Sequence, residues 1–236
     1  VASTHWLASA AGMAILEQGG NAFDAAVATA FTLQVVEPHL NGPGGDLPAL
    51  LWRAGEEPVV LCAQGVAPRA ATIEHYRDEL GLELVPGTGP LAAVVPGSFG
   101  GWIAMLRDYG TLPLADVLRF AIEYAENGYP VVPPIAGAIR NVEQLFRDDW
   151  TTSADVYLPV PMPGTLHRNA RLAATYRRIV EEAGDDLDAA LDCWYRGFVA
   201  DAVVGFQERA WLDSSGERHT GLLSAEDLRG WSPSYE

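Results

Sequence analysis

Lysine is absent from this 236-residue chain: all 15 basic residues are arginine, set against 31 acidic residues, for a net charge of −16. A surface this poor in positive charge offers phosphates little chance to displace counterions. Non-specific nucleic-acid binding and attachment to an anionic membrane are therefore not expected. The acidic residues are spread along the chain rather than gathered in a tail, and solubility accounts for them. Cysteine is nearly absent too. Cys62 and Cys193 lie far apart, sit among apolar neighbours and lack metal-ligand spacing. Two buried free thiols are the expectation, with a Cys62–Cys193 bridge left open. The five histidines form no H-x-x-x-H pattern and the cysteines no C-x-x-C, so neither a metal nor another cofactor is expected.

Long apolar runs are missing as well. Asp24, Glu37 and Arg53 interrupt the most hydrophobic region, which leaves nothing long enough to span a bilayer. The first residues, Val-Ala-Ser-Thr-His, carry neither a basic start nor an apolar core. No signal peptide is visible in them, and a cytoplasmic location is the expectation. Familiar catalytic patterns are also lacking. The turn His-Leu-Asn-Gly-Pro-Gly-Gly-Asp has neither phosphate-loop nor dinucleotide-loop spacing and leads into a strand, so it reads as a structural turn. Pro96-Gly97-Ser98-Phe99-Gly100 does not match Gly-x-Ser-x-Gly. The carboxylate pairs Asp185/Asp186 and Glu226/Asp227 fall at helix starts, where negative charge complements the positive end of the helix.

What the chain does have is a globular composition: 49% hydrophobic residues and a mean hydropathy of +0.06 argue for a packed interior and against disorder. Its length suits one large domain, or part of a larger one. Residues 7–46 are the organising stretch. Alanines at 8, 11, 14, 22, 25, 26, 28 and 30 let neighbouring backbone approach closely. Apolar spacing predicts a helix over 6–18, stopped by Gly19-Gly20. Asn21 then caps a second helix reaching about residue 36, with Asp24 in its first turn and Glu37-Pro38 closing it.

Strands are predicted over 47–53 and 59–63, joined by the polar turn 54–58; both are nearly all apolar and are expected to be buried on both faces. A short helix around 73–80 and a possible strand at 91–95 follow. Further helices are predicted over 101–109, 114–127, 133–146, 170–182, 186–195 and 198–208, with 151–169 a long surface connection. Ser224 is expected to cap a last short helix at 225–229. About three strands make a thin sheet, which suggests completion by polypeptide outside this sequence.

Several blocks carry more. Leu7–Ala28, then V-V-E-P-H-L-N-G-P-G-G-D, closely resemble the amino-terminal signature of the γ-glutamyltranspeptidase family. The likeness continues through Ala67-Pro68, Val95-Pro96-Gly97, Tyr109-Gly110-Thr111-Leu112-Pro113-Leu114, Ala125–Val131, Tyr195-Arg196-Gly197 and Leu223-Ser224-Ala225-Glu226-Asp227-Leu228, in family order. The resemblance implies an α+β fold: the N-terminal-nucleophile hydrolase αββα sandwich, of which residues 1–236 supply mostly helices and a few strands as one domain.

It also implies a precursor that cuts itself into large and small subunits. The small subunit's new N-terminal threonine is then the nucleophile, its α-amine the base, and an oxyanion hole stabilises the tetrahedral intermediate. The implied partners are a small-molecule amide substrate and the protein's own small subunit. The sequence stops at Glu236, ahead of the family's threonine; Thr88, Thr151 and Thr152 do not match its motif. No catalytic residue is therefore expected within 1–236. Glutamate-specific members carry an arginine in a pattern like R-E-x-A-P, which pairs with the substrate's α-carboxylate. Here the segment reads Gln64-Gly65-Val66-Ala67-Pro68, so Gln64 stands in the arginine's place as the one candidate substrate-binding residue. Losing that pair costs about 2–3 kcal/mol. A different acyl group, as in the family's cephalosporin-acylase and oxamate-amidohydrolase branches, becomes the alternative, beside a non-catalytic relative used for binding.

Overall fold

The computed structural model describes residues 1–236. Helix α1 (Trp6–Glu17) ends at Gln18-Gly19 and helix α2 (Ala22–Val36) follows at once. Asn21 caps α2 as its sequence suggests: its Oδ1 accepts from the N–H groups of Phe23 and Asp24, while Asp24 accepts from the Asn21 N–H. Small residues bring the two helices close together. A Cβ at Gly12 would sit 2.2 Å from Thr29 Oγ1 and 3.0 Å from the Ala25 carbonyl. α2 is buried around most of its circumference, because α1, α3 (Ser98–Tyr109) and α4 (Leu114–Asn127) all pack on it.

Strands β1 (Leu47–Leu51) and β2 (Val59–Ala63) form the expected antiparallel hairpin, with Leu50 opposite Val60 and Leu47 opposite Ala63. Burial on both faces does not hold. Leu47, Leu51, Leu61 and Ala63 face α3, whereas the other face carries Pro48, Leu50, Val60 and Cys62, and Leu50 is 72% exposed. Helices from this chain cover one side only. The hairpin gains a third antiparallel strand from the far end of the sequence, β7 (Ser234–Tyr235), so the order is β1-β2-β7.

Five further expectations are corrected. Residues 91–95 are not a strand: Pro90–Ala92 is a 3-10 turn, and Val95 makes a single loop bond to the Val66 carbonyl. Helix α3 starts at Ser98 rather than 101, because the Ser98 and Phe99 N–H groups find acceptors in the Gly45 and Pro43 carbonyls, at 2.6 and 3.2 Å. The glycine-rich turn at 42–45 therefore caps a helix distant in sequence as well as reversing the chain. The helix expected over 133–146 is two, α5 (Pro133–Asn141) and α6 (Glu143–Asp148), separated where Val142 leaves helical geometry (φ −113°, ψ 8°).

The connection at 151–169 holds helix α7 (Thr151–Tyr157) and strand β4 (Leu166–His167), the latter paired with β3 (Tyr129–Pro130). Aromatic contacts fix this region: Tyr157 lies against Phe146 and stacks on His167. Periodicity cannot reveal such a set. The segment expected as a helix at 73–80 is one π-helical turn, His75–Glu79.

The remaining helices fall close to expectation: α8 (Ala170–Ala183), α9 (Leu187–Tyr195) and α10 (Phe198–Gln207). A small hairpin, β5 (Trp211–Leu212) with β6 (Arg218–His219), leads to α11 (Ala225–Arg229), whose Ser224 cap forms a full capping box with Asp227. The core centres on Phe31 of α2, which meets Phe99 and Tyr176 edge-on at centroid distances of 5.7 and 5.6 Å. Phe99 in turn stacks on Trp194 at 4.2 Å, tying α3 to α9.

Candidate functional site

Blocks far apart in the chain meet at the exit of β2. Gln64 leaves β2 at the edge of the hairpin, and segments from four distant parts of the chain converge on it. Gly65 donates to Asp46 Oδ1 at 2.9 Å and lies so close to the loop above that a Cβ would stand 1.7 Å from the Val95 carbonyl oxygen. No side chain fits there. Val95 bonds back to Val66, and the neighbouring Pro96 carbonyl accepts from the Tyr195 hydroxyl at 2.8 Å. Tyr195 packs on Trp231 at a centroid distance of 5.1 Å, and the Trp231 indole donates to the Gln64 carbonyl at 3.3 Å.

The last block closes the ring. Asp227 of α11 accepts from the Arg69 backbone N–H at 3.1 Å while its other oxygen serves Ser224. Burial pushes the Asp227 carboxyl up, but the bonds from Ser224 and Arg69 outweigh it and hold the group below its ordinary range. The result is a cavity of about 350 Å³ at the strand end, lined among others by Gln64, Val66, Arg69, Glu226, Trp231 and Ser232. Arg69 is its only cation, 3.8 Å from Glu226 across a largely exposed pair. Sequence reading singled out Gln64 and passed over Arg69 and Trp231. Arg69 directly follows the Ala67-Pro68 block, a visible signal; Trp231 had none, because only the fold brings it to Gln64.

Elsewhere the chain gathers little chemistry. No three His, Cys, Asp or Glu side chains come together in a way that holds a metal ion. The bridge left open between Cys62 and Cys193 is not formed, and both thiols are free. Cys62 is only half-buried and lines the cavity beside Gln64. Cys193 is buried as expected; its thiol, pushed up by that burial, donates to Glu182 at 3.5 Å. No helix is long and apolar enough to cross a membrane.

Helices packed on one face of an antiparallel sheet whose other face is bare form one layer pair of the N-terminal-nucleophile hydrolase αββα sandwich. The chain belongs to the gamma-glutamyltranspeptidase family, whose pattern matches residues 8–236. It is 36% identical over 212 residues to the oxamate amidohydrolase proenzyme of Klebsiella pneumoniae, an alignment covering 85% of this chain and 38% of that protein. It is 42% identical to the acylase ACY 1 proenzyme of Pseudomonas sp. strain V22, over 100% of this chain and 43% of that one.

Among solved structures, LmbA2991HD superposes with a TM-score of 0.97 at 56% identity, covering 99% of this chain and 42% of that one. The γ-glutamyltranspeptidase of Helicobacter pylori does so with a TM-score of 0.85 at 31% identity, over 100% and 64%. The chain spans about two fifths of the length of the curated relatives it matches.

Proposed function

We propose that the longer protein to which this chain belongs is a self-processing amide hydrolase or acyltransferase whose acyl group is not γ-glutamyl. Its nucleophile is then a threonine outside residues 1–236, and this chain supplies one wall of the acyl pocket. The observation that carries the reading is Gln64, uncharged at the position where the resemblance puts a carboxylate-binding arginine, at the mouth of a cavity on which the family's blocks converge. Relatives named as an oxamate amidohydrolase and an acylase support the shift away from glutamate. The apolar outer face of the hairpin, with Leu50 and Val60 uncovered, supports a second sheet from the rest of the protein.

Two measurements test the proposal. Mass spectrometry of the full-length protein is expected to find two subunits, the smaller beginning with threonine, together with turnover of simple acyl amides. An intact precursor without amidase activity sinks the reading. It favours instead a non-catalytic relative that keeps the pocket for binding, for which the uncharged Gln64 is again the motive. Second, Gln64→Arg is expected to raise kcat/KM toward γ-glutamyl-p-nitroanilide, on the order of 30- to 150-fold, the worth of a restored charge-assisted pair. An unchanged rate means that Gln64 lies outside the acyl pocket.

A further inference from the structure

A cavity of about 630 Å³ opens between α10, the first turn of α7 and the 89–93 segment. Its floor is sealed, since Gln207, Trp211 and Leu223 are buried. Its walls are open. Ala202 is exposed, Trp150 and Phe198 are half-buried, and Phe206 is 46% exposed even though it stacks on Trp211 at a centroid distance of 4.7 Å. A molecule entering the space therefore meets accessible aromatic surface on α10 and at Trp150. Concave, mostly apolar spaces of about 300–1,000 Å³ are the usual form of a small-molecule site.

The lining narrows what that molecule is. No charged side chain takes part in it; Arg178 and Arg209 lie instead over the rings of Phe198 and Trp211, at 3.8 and 4.5 Å. A charged ligand gives up its hydration here and finds no counter-charge. Most polar groups of the lining are already used. The Trp150 indole donates to the Leu212 carbonyl at 2.8 Å and the Trp211 indole to the Phe206 carbonyl at 3.2 Å. Gln207 holds both backbone groups of Leu223, and the Thr175 hydroxyl donates to the Arg171 carbonyl at 3.0 Å. What remains is the pair of hydroxyls on Thr152 and Ser153, both on α7. The fitting occupant is uncharged and mostly apolar, with a single polar group for α7 to meet. Ring faces and edges pair favourably beyond the area they bury, so an aromatic occupant gains more from Trp150, Phe198 and Phe206 than an aliphatic one.

We propose that this cavity binds a small uncharged aromatic molecule, its rings against Phe198, Phe206 and Trp150 and its one polar substituent meeting the Thr152 or Ser153 hydroxyl. A hydroxyl on the ligand serves either residue, because each side both donates and accepts. The cavity shares no residue with the one at Gln64, so the two are filled independently.

The probe is 2-naphthol, titrated into the full-length protein by calorimetry, with 2-naphthoate as its charged counterpart. Saturable binding of 2-naphthol is expected, about tenfold tighter than 2-naphthoate, and Phe206→Ala is expected to weaken it about tenfold. Ala202→Trp fills the space from an exposed position on α10 and is expected to abolish binding while the urea midpoint stays near the parent's, which separates lost binding from lost folding. Gln64→Arg is expected to leave the affinity unchanged. Four results overturn the proposal: no saturable heat, equal affinity for 2-naphthoate, affinity unaffected by both Phe206→Ala and Ala202→Trp, or affinity lost in Gln64→Arg. A crystal structure of the full-length protein with its own chain or a second copy seated between Phe206 and Trp150 overturns it too.

Discussion

Asp24→Ala is expected to destabilise the protein by about 3–5 kcal/mol, because the carboxylate is the shared acceptor of two loops. It is fully buried at the first turn of α2. One oxygen accepts from the N–H groups of Thr111 and Leu112, at 2.8 and 3.2 Å, and the other from the Thr111 hydroxyl and the Asn21 N–H, at 2.7 and 2.8 Å. Removing it strands three backbone donors and frees the link between α3 and α4. Asp24→Asn keeps the volume but turns one oxygen into a donor facing donors, and a smaller loss of about 2 kcal/mol is expected.

Urea unfolding of both variants against the parent checks this, and a midpoint for Asp24→Ala close to the parent's refutes it. The same group sets an acid limit. Burial pushes its carboxyl up, but the bonds from Thr111, Asn21 and Leu112 win and hold it below the ordinary value. A depressed folded value means that the stabilisation is fully present above about pH 4 and is lost as pH falls further, through the folded value. Asp24→Ala is therefore expected to flatten the acid limb of the stability profile.

Gly65→Ala is the second large effect. A methyl group there meets the Val95 carbonyl oxygen at 1.7 Å and its carbon at 2.8 Å, both backbone atoms that a rotamer change cannot move. Either the exit of β2 or the 94–97 loop must shift, at a cost of about 3 kcal/mol. The shift breaks the Gly65–Asp46 and Val95–Val66 bonds that hold Gln64 in place. The amidase activity proposed for the longer protein is expected to fall together with the urea midpoint. Gly137→Ala supplies the contrast: it lies within α5, a Cβ there meets nothing within 4 Å, and the change is expected to be neutral or stabilising by up to about 1 kcal/mol. Equal behaviour of the two variants removes the steric argument.

Much of this was legible in the residues because the forces involved are local. Asn21 and Ser224 announce caps, since a short side-chain acceptor beside free helical N–H groups acts within three residues. The 54–58 turn and its apolar flanks announce a hairpin for the same reason. The errors share the opposite cause. α3 begins early because its first donors bond to Pro43 and Gly45, more than fifty positions back. α7 hides in a proline-rich stretch because Tyr157 stacks on His167 and meets Phe146, contacts no local pattern encodes. The β7 strand is two residues long and exists because Glu236 and Val60 exchange backbone hydrogen bonds at 2.8 and 2.9 Å.

The candidate site divides in the same way. Gln64 was visible because one position of a recognisable pattern held an uncharged residue, and the ordered blocks identified the family whose pattern residues 8–236 match. That Asp227 anchors Arg69 and that Trp231 bonds over Gln64 are products of tertiary structure alone. The sequence by itself determined helices, caps, the hairpin and the family, since each rests on neighbours within a few residues or on an ordered pattern. The fold decided which distant side chains share a space, because burial and hydrogen-bond partnership across a hundred or more positions are set only once the helices close on the sheet.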